Sequence, residues 1–354
     1  MFSFEDLEIY EIVNIYALVI GLLYGLIAQR TQFCISGSIK DFVLSKSTRR
    51  LASVLVAMLS AIVFSQLSSY VYKIDFTQTI YLQNSINYFT IILGGVLFGI
   101  GMMKADGCSS RHLVKFAQGD LHSLVTLVTI AIFAYITAKG MFSYMGGQLQ
   151  QSELLLALSS YLPNKPLSLY VVIIFLVVMI YKVVPHAKNL LSLSDGLIVG
   201  FLVALSWYVT GAVGSDAFTP LALEGLSFVY PSGQALEYFM FFSGSTLSFA
   251  ISIIFGILTG SFIMSLFNKK YRFGCALPDS GNKLKNSIFG GVLMGVGGIL
   301  ALGCTIGQGL TGLSTLATSS FVAILSIAIS AYITGLKMSK NKSLPSCFSF
   351  EWRE

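Results

Sequence analysis

The chain has 354 residues, of which 55% are hydrophobic and only 11% charged, and its mean hydropathy is +0.78. A soluble domain carries about 25% charged residues, so a water-soluble globular protein is excluded and the lipid bilayer is the expected surrounding. The net charge of +6 sits mostly in a few loops and asks for no nucleic-acid partner.

The N-terminus carries Glu5, Asp6, Glu8 and Glu11, with no Lys or Arg before Arg30. A cleavable signal peptide needs a basic start, so the first apolar run, 12–28, is expected to stay as a helix. Further runs able to span about 30 Å of hydrocarbon follow at 51–72, 88–103, 121–142, 167–184, 196–214, 245–267, 287–302 and 319–336. The expected fold class is an all-α integral membrane protein with about nine transmembrane helices and additional re-entrant half-helices. Basic clusters lie at Lys40–Arg50, at Asn268–Arg272 with Lys283 and Lys285, and at Lys337–Lys342. The positive-inside bias places these in the cytoplasm, with the N-terminus outside and the C-terminus inside.

Residues 94–108 (GGVLFGIGMMKADGC) and 290–304 (GGVLMGVGGILALGC) are identical at nine of fifteen positions. The chain therefore reads as one transporter domain, 1–354, with repeat halves at about 12–145 and 190–336, a polar connector at 146–165 and a cytoplasmic tail at 337–354. A weaker echo links Gly21 and Gly25 to Gly196 and Gly200. Paired halves with interrupted helices point to inverted repeats around a transport site at the bilayer midplane.

Each half is expected to contribute two breaks. Three hold a cysteine, namely Cys34, Cys108 and Cys304; the fourth, around Val209–Asp216, has Thr210, Gly211 and Gly214. Non-helical backbone at membrane depth is tolerated only where protein buries it or where it lines a wet cavity. The segments Ser109–Gly119 and Thr305–Leu316 are expected to restart as half-helices whose N-termini aim N–H groups at a shared centre, which suits an anion.

A lone thiol in an apolar helix is ordinarily a small buried hydrophobe. Three thiols at breaks, two of them at equivalent repeat positions, favour a functional role. A neutral S–H is a weak donor and a soft, polarizable acceptor, which matches a soft sulfur-bearing anion. Soft metal cations are the other clients of thiols, but no C-x-x-C or zinc-type His spacing accompanies these cysteines. Neither a metal nor another cofactor is read from the sequence, and no catalytic residue. Cys275 and Cys347 read as incidental thiols. Lys104, Asp106, Arg111 and Lys115 surround Cys108. Two readings of these charges stand side by side: they sit at the interface, or Asp106 pairs with Lys104 or Arg111; alternatively Arg111 and Lys115 draw an anion towards the path, with Arg30 acting similarly near Cys34. Ser36, Ser109, Ser110, Thr305 and Gln308 are candidate donors.

At AQRTQFCISGSIKDF, GGVLFGIGMMKADGC, GSFIMSLFNKKYRF and GGVLMGVGGILALGCTIGQGL the chain resembles the YeeE/YedE family of bacterial sulfur-compound transporters, closest to its thiosulfate-uptake branch. The resemblance implies an inner-membrane protein with inverted halves and a narrow path in which Cys34, Cys108 and Cys304 contact thiosulfate through S–H groups. It also implies a small soluble TusA-like sulfur-carrier protein as a partner. That domain is fused in some members and is not expected after the tail here. Asp106 and Leu302 stand where a second glycine is expected before the Gly-Cys pairs, and SSRHLVKF is more basic than the family pattern. A related group handles selenium compounds, which leaves the substrate branch open. Two other readings stand beside thiosulfate uptake: a membrane thiol oxidoreductase or sulfurtransferase working through a persulfide, and a soft-cation or small-solute channel.

Overall fold

The computed structural model describes residues 8–83, 86–141, 143, 166–183, 193–215, 221–242, 246–274 and 280–341. The connector at 146–165, Cys275, Cys347 and most of the tail lie outside these. Among the described residues the chain is helical, with no β-strand and one antiparallel bridge between Pro166 and Ala317. The helices are α1 (Ile9–Thr31), α2 (Ile35–Ser45), α3 (Arg49–Tyr72), α4 (Tyr88–Lys104), α5 (Ser109–Ala117), α6 (Leu121–Ala138), α7 (Leu169–Val183), α8 (Ser194–Tyr208), α9 (Val229–Met240), α10 (Phe249–Phe267), α11 (Ser280–Leu300) and α12 (Thr318–Lys340). Two π-helical turns, Val209–Val213 and Gly307–Gly312, complete the set.

All nine apolar runs are helices, but seven segments meet the length and hydropathy needed to cross a membrane. The run at 167–184 yields α7, with 15 residues, shorter than the roughly 20 a span needs. The run at 287–302 falls in α11, whose first two turns are polar. Among the described residues, then, seven segments qualify by length and composition alone. The last helix also continues to Lys340, into the segment read as tail.

Three helices are far too short to span. At 1.5 Å per residue the 11 residues of α2 reach about 16 Å, and α5 and α9 about 14 and 18 Å. Each covers about half of the hydrocarbon thickness and follows a longer helix after a break.

Small residues set the packing. Helix α1 lies against α10 and α8 against α3; α12 lies against α4 and α6 against α11; α4 and α11 cross each other. The duplicated glycines make that crossing possible. A methyl group added at Gly290 would lie 2.7 Å from the Gly101 carbonyl oxygen and 2.7 Å from Ala105 Cβ, and one at Gly297 would lie 2.6 Å from the Gly94 carbonyl oxygen. In the same repeat Gly95 and Gly99 face α12, while Gly291 and Gly295 face α6. Between apolar helices in lipid, such close backbone approach is a main source of association. The repeated glycines are thus helix contacts, and the breaks come after them.

The breaks themselves turn on left-handed residues. Asp106 (φ 65°) and Leu302 (φ 58°) occupy equivalent places before the Gly-Cys pairs, and Gln32 (φ 60°) ends α1 ahead of Cys34. These are the two positions where the family pattern leads one to expect glycine, and the backbone there adopts the conformation glycine favours. The segment Val209–Val213 does end its helix, but as a π turn continuing α8. The following half-helix restarts only at Val229, with Phe228 in the capping position. The fourth break is therefore longer than expected and carries an aromatic residue at its tip.

Candidate functional site

Two thiols hold N-cap positions. Cys34 and Cys108 have extended backbones immediately before α2 and α5. Cys34 Sγ accepts a hydrogen bond from Gly37 N at 3.3 Å, and Cys304 Sγ accepts one from Gly307 N at 3.3 Å. A cap usually supplies oxygen here; sulfur does the same work for a helix N–H and keeps its own proton free to donate. Cys34 Sγ lies 2.9 Å from Ser36 Oγ, and Cys108 Sγ lies 3.2 Å from Ser110 Oγ. All three thiols are buried and unoxidised, at 2%, 0% and 0% exposure.

The tips converge. The Cys34 and Cys108 side chains interact with one another, and Cys108 faces Thr305, the first residue after Cys304. Ile35 of α2 packs over Gly309 in the π turn beyond Cys304. At the centre stands Tyr24 of α1, 1% exposed, whose hydroxyl meets Ser110 and lies within electrostatic reach of all three thiols. The fourth tip joins through its cap, since the Phe228 ring packs on Tyr24 with centroids 5.5 Å apart. Tyr24 is the residue that sequence reasoning missed. A tyrosine in a membrane helix is unremarkable by itself. Its one signal was its place on the Ala17–Gly21–Ala28 face, which is wholly buried.

The remaining expected donors divide. Ser109 and Thr305 are fully buried and their hydroxyls close no hydrogen bond within the protein. Buried polar atoms are nearly always satisfied, so two orphan hydroxyls beside two thiols suit a polar ligand. Gln308 is also fully buried; its Nε2 donates to the Ala301 carbonyl at 2.5 Å, which ties the π turn to the end of α11. Arg111, on the first turn of α5, packs its methylenes over Gly107 and sends its charge towards Cys34 and Asp41.

The other charges are arranged differently from a local Lys104–Asp106 pair. The Asp106 carboxylate bridges Lys40 of α2 at 2.6 Å and Lys115 of α5 at 2.8 Å, and Lys115 also donates to the Asp106 carbonyl at 2.7 Å. Lys115 is thereby a brace between elements and not an anion-attracting charge at an entrance. Lys104 rests over the Phe289 ring at 4.3 Å, and Arg30 is exposed. The His112 ring engages Ser123 on α6 through Nδ1 at 3.0 Å, and Ser123 donates to Asp120 at 2.7 Å.

A cavity of about 280 Å³ opens beside Cys304, lined by Tyr81, Trp207, Ser227, Gln234, Leu302 and Gly303 among others. The surroundings of the three thiols are therefore unequal. Arg111, with Arg50 and Lys40, lies on the Cys34 and Cys108 side, while Cys304 is flanked by hydroxyl, amide and aromatic groups. Among the described residues no group of three His, Cys, Asp or Glu side chains is placed to hold a metal ion, so the thiols do not form one ligand set.

Broken helices whose buried polar tips meet inside an apolar bundle define a polytopic membrane protein of the transporter class. The family described as Sulphur transport matches residues 30–333, and the chain belongs to that family. It is 23% identical over 317 residues to a thiosulfate transporter, TsuA, of Escherichia coli K12, covering 83% of this chain and 85% of that one. It is 24% identical over 338 residues to the protein of the same name from Spirochaeta thermophila, covering 86% and 93%. A shorter match, 24% over 123 residues, is to the probable transporter YedE of Escherichia coli K12, covering 34% of this chain and 29% of that one. These relatives are named as transporters, not enzymes.

Proposed function

We propose that the protein takes up thiosulfate across the bacterial inner membrane, passing the anion along a central path lined by Cys34, Cys108 and Cys304. What carries the reading is the meeting of three buried thiols around Tyr24, two of them (Cys34 and Cys304) accepting a helix N–H, with the free hydroxyls of Ser109 and Thr305 among them. A thiol whose sulfur already accepts a helix N–H can turn its S–H to the terminal sulfur or an oxygen of the passing anion. The half-helix N-termini supply partial positive charge along the path, and Arg111 adds a fixed cation only on the Cys34 and Cys108 side. The anion enters by the cavity beside Gly303, meets Cys304 and Thr305, then Cys108 and Cys34, and leaves past Arg111.

The packing supports inverted halves, and with α7 and α11 counted beside the seven longer segments the proposed number of spans is nine. With α8 in the place of α1, α10 of α3, α11 of α4 and α12 of α6, the pairings exchange in twos and the α4–α11 crossing maps onto itself. A two-fold axis in the membrane plane produces that pattern. By the positive-inside bias the α2–α3 turn and the end of α12 face the cytoplasm and the N-terminus faces outward. A small TusA-like sulfur-carrier protein receives the sulfur on the cytoplasmic side.

The test is growth on thiosulfate as the only sulfur source in a bacterium stripped of its own thiosulfate and sulfate uptake. Expression of this chain should restore growth. Failure to restore it, with the protein present in the membrane, contradicts the proposal.

A further inference from the structure

An acidic side chain stands where an anion transporter has least use for one. Glu224 lies in the segment 221–228 between the π turn after α8 and the start of α9. Thr210 Oγ1 donates to its backbone carbonyl at 2.9 Å, which fixes the segment against the end of α8. Its side chain borders the cavity of about 280 Å³ beside Gly303. It also borders a second cavity of about 310 Å³, lined by Tyr10, Asn14, Thr210, Leu221, Thr246 and Ser248 among others. Among the described residues Glu224 alone belongs to both linings.

Neither lining contains a Lys, Arg or His. The titratable groups that face Glu224 are Tyr81 from the α3–α4 connection, Tyr230 from α9 and Tyr10 from α1, with Cys304 beyond Gly303. Tyrosines titrate ordinarily near pH 10 and stay neutral through the physiological range. Burial without a cationic partner raises the pKa of the Glu224 carboxyl, because desolvation disfavours its charged form. Among the described residues these two linings hold no other carboxyl and no imidazole.

We propose that Glu224 is a proton-operated filter on the wall shared by the two cavities, the first of which reaches Gly303 beside Cys304. With its carboxylate charged it turns anions back; with its carboxyl neutral it admits them and offers an O–H donor. One proton binds from solution and returns to solution, and none needs to travel with the substrate. The inference rests on the anion-uptake reading for its substrate, but the titration at Glu224 stands independently of which solute passes.

The experiment uses the full chain in liposomes, with internal pH fixed and external pH stepped from mildly acidic to mildly alkaline. Influx of radiolabelled thiosulfate should fall about tenfold per pH unit above the midpoint of one carboxyl group. Glu224→Gln should hold the acid-side rate across the range, and Glu224→Asp should keep a pH dependence with a shifted midpoint. A wild-type profile retained in Glu224→Gln, or a flat wild-type profile, overturns the filter while leaving transport intact. Infrared spectroscopy of the same samples separates the two ideas where no influx is seen. A protonated-carboxyl C=O band that fades as pH rises and is missing in Glu224→Gln supports the filter; absence of that band in the wild type at acidic pH overturns it.

Discussion

Asp106→Asn isolates the charge that ties two half-helices together. Asparagine keeps the shape of the side chain and tolerates the left-handed backbone at φ 65°, so the break itself should survive. What is lost is the counterion of two lysines. The Lys115 side chain is 4% exposed and Asp106 9% exposed, so this pair is buried, and removing one partner of a buried pair costs about 3–5 kcal/mol. Lys40 is 23% exposed and its contact adds at most about 1 kcal/mol. A loss of about 3 kcal/mol is at least a hundredfold in the equilibrium for opening this tip. The buried thiols report that opening, because Cys34 and Cys108 are inaccessible until the tips part. In a background with Cys275 and Cys347 replaced by serine, the rate of maleimide labelling should rise about a hundredfold in Asp106→Asn. Lys115→Met added to it should bring the rate most of the way back, since the uncompensated buried charge is then gone. Labelling within twofold of wild type in Asp106→Asn would refute the brace.

Three further outcomes follow from the packing and the tips. Gly290→Ala places a methyl group 2.7 Å from the Gly101 carbonyl oxygen and should cost about 1–3 kcal/mol, seen as a lower midpoint in thermal unfolding in detergent. Leu302→Val should lower that midpoint, because a β-branched residue is strained at φ 58° and gives up part of the packing on Ile86, Ile91 and Ala323. Tyr24→Phe removes the hydroxyl that meets Ser110 and should reduce thiosulfate influx several-fold with little change in unfolding. Equal influx would remove Tyr24 from the path.

The apolar runs and the cysteine tips were legible because composition and local spacing carry them. Cys108 and Cys304 stand out through the repeat, and the half-helices after them begin at Ser109 and Thr305 as expected. Contacts across the sequence were not legible. Asp106 has two charged neighbours within five residues, yet its partner Lys40 lies 66 positions away on another half-helix. Local charge spacing favours the near pair, and only the fold brings α2 and α5 side by side. The sequence did not show what the repeat glycines touch: Gly94, Gly101, Gly290 and Gly297 serve the α4–α11 crossing, while Asp106 and Leu302 make the turns. The fourth break was expected around Val209–Asp216, but its capping residue, Phe228, lacks the cysteine that marks the other three.

The central claim is that Cys34, Cys108 and Cys304 act together on one passing anion. The direct measurement is radiolabelled thiosulfate influx into liposomes holding wild type, Cys34→Ala, Cys108→Ala or Cys304→Ala, each confirmed as folded by its unfolding midpoint. Each single variant should lose most of the influx, because the anion must meet all three thiols in turn. Wild-type influx in Cys108→Ala or Cys304→Ala would contradict the account.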